Sequence, residues 1–220
     1  MKRFLGMAVL SLLLVSGSFV LRPRPLGARP DPTIGDAPVG KVAVEFVCKY
    51  DQQDNLYTYY GYFTHVSGLP DSSLFTNPSQ RNETTARFTC FGQATITAHH
   101  AVQAVLATAA PGTITYYFNE QPAGDFNNPS SFAQGLVIAT SSLRLHTENP
   151  LIQPNEGVPS ARGDLTQLTN TPFLLDGRRV HFGRHGMDLQ LGAAGRASRT
   201  QVAPLLSSGT FAGRLVTVHP

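Results

Sequence analysis

Two cysteines, seven histidines and a run of tyrosines are the residues through which this chain could do chemistry. Cys48 and Cys90 each sit in a stretch that alternates apolar with polar residues. In Lys41–Tyr50 the side chains of Val42, Val44, Phe46, Cys48 and Tyr50 share one face, and in Thr84–Phe91 Ala86, Phe88 and Cys90 do the same. Both thiols are therefore expected on the core side of strands. In an oxidising compartment two core thiols that can meet are expected to pair, and a Cys48–Cys90 disulfide would stabilise by about 2–4 kcal/mol in the chain-entropy model. A redox-active pair favours the close Cys-x-x-Cys spacing, which these two lack.

The histidines do not assemble into a metal motif. His181 and His185 have helical spacing, but Phe182-Gly183-Arg184 and the following Gly186 read as a strand end and turn. His99 and His100 are adjacent, so on a strand they face apart. No His-Glu-x-x-His occurs, and no metal or cofactor is expected. Hydrolase signals are equally thin. There is no Gly-x-Ser-x-Gly elbow, Ser207-Ser208-Gly209 lacks a strand-to-helix setting, and Asp51/Asp54 and Glu148/Glu156 fall in loop-like sequence. No residue is nominated as catalytic, although triads need not be local in sequence.

Tyr57, Tyr59, Tyr60, Tyr62 and Phe63 form an aromatic cluster that Tyr116, Tyr117 and Phe118 continue. It reads either as core packing or as the wall of a cavity in a closed barrel, with Tyr59, Tyr62, Tyr116 and Phe118 as candidate ligand contacts. Tyr59 and Tyr60 are neighbours, so on a strand they must point opposite ways. Arg178, Arg179 and Arg184 are candidates for anion binding, because guanidinium groups make planar, multi-donor contacts to sulfate, phosphate or carboxylate. Asn82-Glu83-Thr84 fits the N-glycosylation pattern, and Arg162-Gly163-Asp164 at a loop-to-strand junction fits an adhesion tripeptide.

Elements that position these residues follow an N-terminal leader. Phe4–Leu21 is almost unbroken apolar sequence behind Lys2-Arg3, the pattern of a secretory signal. The run is close to the roughly 20 residues a spanning helix needs, so residues 1–28 read as a signal peptide or an uncleaved anchor. Membrane contact is expected only there. The proline- and glycine-rich stretch 29–40 reads as a spacer. Five basic and no acidic residues lie in 1–30, so 12 basic against 14 acidic side chains in 31–220 give a formal −2. Nucleic acid is therefore not an expected partner. Residues 178–220 are basic (six against one) and 31–177 acidic (six against 13), a polarity that suits an anionic surface polymer if the arginines share a face.

Strand signals recur through 41–220. Tyr57–Val66 is aromatic and β-branched, Thr113–Asn119 and Leu136–His146 alternate, and Asp176-Gly177 is a two-residue hairpin turn. Gly92–Ala110 fits both helical and strand spacing and is assigned to strands on the strength of its neighbours. Ser67–Glu83, Gln121–Ser131 and Asn149–Arg162 read as long loops, and shorter strands are expected at Asp188–Leu191 and Phe211–Val218, among others. Roughly ten short strands imply a single-domain, all-β antiparallel sandwich or barrel. In size, export signal and strand count the chain resembles small extracellular β-barrels such as the dirigent and allene-oxide-cyclase group, a likeness of architecture with no motif matched. The expected function is an exported binding or surface-interaction domain without catalysis. The alternative is a barrel carrier or isomerase-like protein holding an apolar or aromatic ligand in a tyrosine-lined cavity.

Overall fold

Period-two alternation gives each strand one face that must leave water, and a sheet can bury that face by closing on itself. The computed structural model describes residues 31–219; the expected signal or anchor segment at 1–28 lies outside the described residues. Among them are 13 strands: β1 (Thr33–Ile34), β2 (Val42–Gln53), β3 (Leu56–Val66), β4 (Phe88–Thr95), β5 (Ala98–Val102), β6 (Val105–Phe118), β7 (Leu136–Gln153), β8 (Glu156–Gly157), β9 (Ser160–Asn170), β10 (Phe173–Leu175), β11 (Arg178–Phe182), β12 (Asp188–Gln201) and β13 (Leu206–His219). Ten of them form one antiparallel sheet, which closes through the β6–β7 and β9–β12 pairings. The ring runs β2-β3-β4-β6-β7-β9-β12-β13 and returns to β2, eight strands in chain order. The all-β expectation holds, and of its two forms the molecule adopts the closed barrel.

Two sequence boundaries move. Asn149–Arg162 is not a long loop: it supplies the end of β7, the short β8 and the start of β9. Gly192–Gln201 continues β12 although it is rich in glycine and alanine, because β13 pairs along one edge of it while β9, as far as Ala194, and β8, at Ala197 and Ser198, pair along the other. The 92–110 segment is the β4 end and the β5–β6 hairpin, and Asp176 and Gly177, at φ 50° and 79°, make the β10–β11 turn.

The two ends of the barrel differ. One is plugged by a small sheet of β1, β11 and β10, with β1 formed inside the expected spacer. Phe182 of this plug stacks on Phe63 at 5.8 Å and meets Tyr116 at 5.3 Å, while Phe173 packs on Phe118 at 4.9 Å. Gln167 is buried beneath the plug and fastens it, its Nε2 donating to the Phe182 carbonyl at 2.7 Å. Outside β3, the 119–135 segment lays Phe126 and Phe132 over Tyr60. The opposite end carries the turns β2–β3, β5–β6, β7–β8 and β12–β13. These are tied to their neighbours by backbone bonds such as Leu151 N to Ala104 O and Asp54 N to Leu205 O, each 2.8 Å. Glu45, Arg144, Arg162, Asp164 and Arg214 stand exposed on the outer wall, where a lipid-facing barrel would be apolar.

Candidate functional site

Inward-facing residues of all eight ring strands enclose a lumen. Toward the turn-bearing end it widens into a chamber of about 370 Å³; toward the plug it narrows to an apolar throat of about 60 Å³. Tyr59, Thr147 and Phe211 line both parts, so the two adjoin. The volume falls in the range of about 300–1,000 Å³ typical of small-molecule sites.

Tyrosines dominate the upper chamber. Tyr57 and Tyr59 project from β3 with centroids 5.7 Å apart, Tyr50 from β2 meets Tyr57 edge-on at 5.7 Å, and Phe211 from β13 lies 5.4 Å from Tyr50. Polar groups punctuate this wall. The Tyr57 hydroxyl is 3.4 Å from Thr108 Oγ1, which is 2.6 Å from Thr147 Oγ1, and Ser207 donates to Gln52 Oε1 at 2.9 Å. The hydroxyl of Tyr59 and Oδ1 of Asn149 are shielded from solvent and have no hydrogen-bond partner among the described residues. Burial pushes the Tyr50 phenol up to about 12 and that of Tyr59 well above its ordinary range, so both are neutral hydroxyls able to donate as well as accept. At the rim stand His99, His100 and Arg199. Val102, Ile152 and Val202, respectively 70%, 59% and 69% exposed, stand at or beside the turns around this end.

Of the four aromatic candidates, Tyr59 and Tyr116 line the lumen. Phe118 faces inward but is sealed at the plug between Phe88 and Phe173. Tyr62 is on the outer face, against Phe75 and Phe126: it differs from Tyr59 by an odd number of positions, so the pleat turns it away. Tyr60 likewise points out, its hydroxyl donating to Asp51 Oδ2 at 2.7 Å. Sequence reasoning missed Tyr50, Tyr57, Thr108, Thr147 and Arg199. Following the Cys48 face to Tyr50, and the Tyr59 face to Tyr57, would have found the first two.

The disulfide expectation is corrected. Cys48 and Cys90 are buried, face the same lumen and are free thiols. Cys48 pairs across with Gly61, and Gly61 with Cys90, so all of β3 lies between them. Two inter-strand spacings of roughly 4.8 Å place the Cα atoms about 10 Å apart, beyond the span of about 7 Å that a disulfide tolerates. Burial raises the Cys90 thiol to about 12 and Cys48 further, which keeps both protonated and poorly nucleophilic.

The three candidate arginines do not act as one group. Arg179 Nε lies 3.2 Å from Asp31 Oδ2 and Arg184 Nε 2.7 Å from Asp36 Oδ2, while Arg178 is exposed on β11, adjacent to Arg179 and therefore on the other face. His181 contacts Asp31 at 3.6 Å. Arg162-Gly163-Asp164 lies within β9, hydrogen-bonded to β7 and β12, with Gly163 buried; its extended backbone is not that of a loop tip. Among the described residues no group of three or more His, Cys, Asp or Glu side chains converges as metal ligands. Compared with known proteins, the chain matches no family model, no curated protein and no solved structure.

Proposed function

We propose that this protein is a carrier that holds a small, largely apolar ligand in its barrel lumen. One observation carries the reading: a tyrosine-lined chamber, plugged at one end and open at the other, on whose wall the Tyr59 hydroxyl is buried without a partner. Burying an unpaired hydroxyl is unfavourable, and a ligand that accepts or donates a hydrogen bond there would relieve it. Aromatic walls with a few convergent polar groups are the usual composition of small-molecule sites. The exposed apolar side chains near the mouth favour approach of an apolar molecule. The carrier is proposed to work outside the cytoplasm, on the strength of the residue 4–21 pattern. A surface module that binds anionic polymers through Arg178, Arg179 and Arg184 is the weaker reading, because two of the three already face carboxylates.

A neutral fluorescent probe, N-phenyl-1-naphthylamine, tests the carrier reading. Wild-type protein should enhance its fluorescence saturably. Thr147→Trp, which sets an indole at the junction of chamber and throat, should weaken binding at least about tenfold while leaving the far-ultraviolet circular dichroism unchanged. Absence of saturable binding to the wild type, or equal affinity in a folded Thr147→Trp, would sink the reading. Native mass spectrometry of protein purified from its own source would then show which molecule copurifies.

A further inference from the structure

We propose that the ligand is a singly charged anionic amphiphile, a carboxylate or sulfate on an apolar body, held tail-inward with its anion on Arg199. This rests on the carrier reading above and concerns the chemical class of the ligand and its orientation. The lumen is apolar at its plug end and carries its guanidinium at the opposite, open end. The throat next to the plug is walled by residues such as Leu143, Leu165 and Leu215. The middle holds tyrosine hydroxyls and the Thr108–Thr147 pair. The rim holds Arg199. Among the described residues that line the chamber there is no aspartate or glutamate, and Arg199 is its single lysine or arginine.

Arg199 is fixed without being neutralised. Its Nε and Nη2 both donate to Asn155 Oδ1, at 3.0 and 2.8 Å. Asn155 sits in the β7–β8 turn at φ 67°, and its carbonyl accepts the Arg199 amide at 2.8 Å. The amide side chain takes two of the five guanidinium N–H groups and leaves three. None of the ion pairs among the described residues includes Arg199, whereas Arg87, Arg179 and Arg184 each face a carboxylate. A guanidinium held by a neutral partner at the mouth of an apolar lumen is a recognition group for an oxyanion, whose apolar remainder is then directed inward. A cationic amphiphile would meet the same arginine with no carboxylate in the lining to offset it.

Three ligands with the same tail separate the possibilities: decanoate, decanol and decyltrimethylammonium, each used to displace N-phenyl-1-naphthylamine from wild type and from Arg199→Gln. In wild type decanoate should displace the probe at a concentration about fivefold lower than decanol, the scale of a charge-assisted contact in partly solvated surroundings, and the ammonium should be the weakest. Arg199→Gln should bring decanoate to the level of decanol without moving decanol itself, and added salt should narrow the wild-type gap. Arg199 is exposed on the rim, so the variant should fold. Equal displacement by all three ligands, or a decanoate preference that survives Arg199→Gln, would overturn the anion assignment and leave the carrier reading standing. Displacement by none of them would overturn both.

Discussion

Two tyrosines that are neighbours on the same lumen wall should respond in opposite directions to loss of their hydroxyls. Tyr59→Phe removes a buried oxygen that has no partner, whereas Tyr57→Phe removes one that lies 3.4 Å from Thr108 Oγ1. Both rings keep their packing, since neither the 5.7 Å Tyr57–Tyr59 contact nor the Tyr50–Tyr57 edge contact involves the oxygens. An unpaired buried hydroxyl costs about 1–3 kcal/mol in mutational data; the low end applies here, because the Tyr59 side chain as a whole is only partly buried. Tyr59→Phe should therefore stabilise the ligand-free protein by about 1 kcal/mol, which for a domain of this size raises Tm by about 2–4 °C. Tyr57→Phe should lower stability by about 0.5–1 kcal/mol, toward the low end for a long neutral hydrogen bond. Differential scanning calorimetry of the two variants and wild type, delipidated in the same way, reads both signs. A fall in Tm for Tyr59→Phe, or shifts in the same direction for the pair, would refute the claim that the Tyr59 hydroxyl is kept for something other than stability.

Backbone contact at Gly61 sets a second test. A Cβ there would meet the Val47 carbonyl oxygen and come within 2.6 Å of the Cys48 Cα, so Gly61→Ala should force β2 and β3 apart and lower the urea midpoint by the equivalent of about 1–3 kcal/mol. Gly192→Ala has nothing within 4 Å of the new methyl and should be neutral or slightly stabilising; equal losses in the two variants would contradict the close approach. Both cysteines should resist Ellman's reagent at pH 8 in the native protein and yield two thiols per chain in urea without reductant. Fewer than two would restore the disulfide. Alkaline pH should destabilise the fold, because Cys90 and Tyr50 are raised to about 12 and Cys48 and Tyr116 are raised by burial as well. Their folded forms hold protons that the unfolded chain gives up from about pH 9 upward, so stability is full below that pH and falls as pH climbs toward 12. Urea midpoints that are the same at pH 8 and pH 11 would count against it.

Side-chain parity was legible in the sequence; strand neighbourhood was not. Alternation through Val44, Phe46 and Cys48 correctly put that cysteine on the buried face, yet it carries no information on which strand lies beside it, and Gly61 of β3 occupies the place a disulfide partner would need. Alternation does not distinguish a barrel from a sandwich for the same reason, since both bury one face of every strand and the ring closes only where β13 pairs with β2. Gly192–Gln201 is poor in strand-favouring residues, and pairing to β13 on one edge and to β9 and β8 on the other outweighs that low intrinsic preference. Composition points to Tyr59, whereas nothing local in sequence sets Arg199 apart from the other arginines of residues 178–220. Its significance comes from Asn155, 44 positions away in sequence, a contact that no local pattern encodes.

Closure between β2 and β13 has a consequence for how the chain acquires its shape. β2 opens the ring and β13, Leu206–His219, completes it. Until β13 docks, β2 and β12 each present a long row of unpaired amides and carbonyls, and the aromatic interior faces water on a curled but open sheet. The closing contact joins residues at opposite ends of the ring, such as Gln53 with Leu206 and Val42 with Val216, the kind of distant pairing that slows folding. Interruption before β13 would therefore yield something other than a leakier container: a chain with two free edges, suited to pairing with copies of itself.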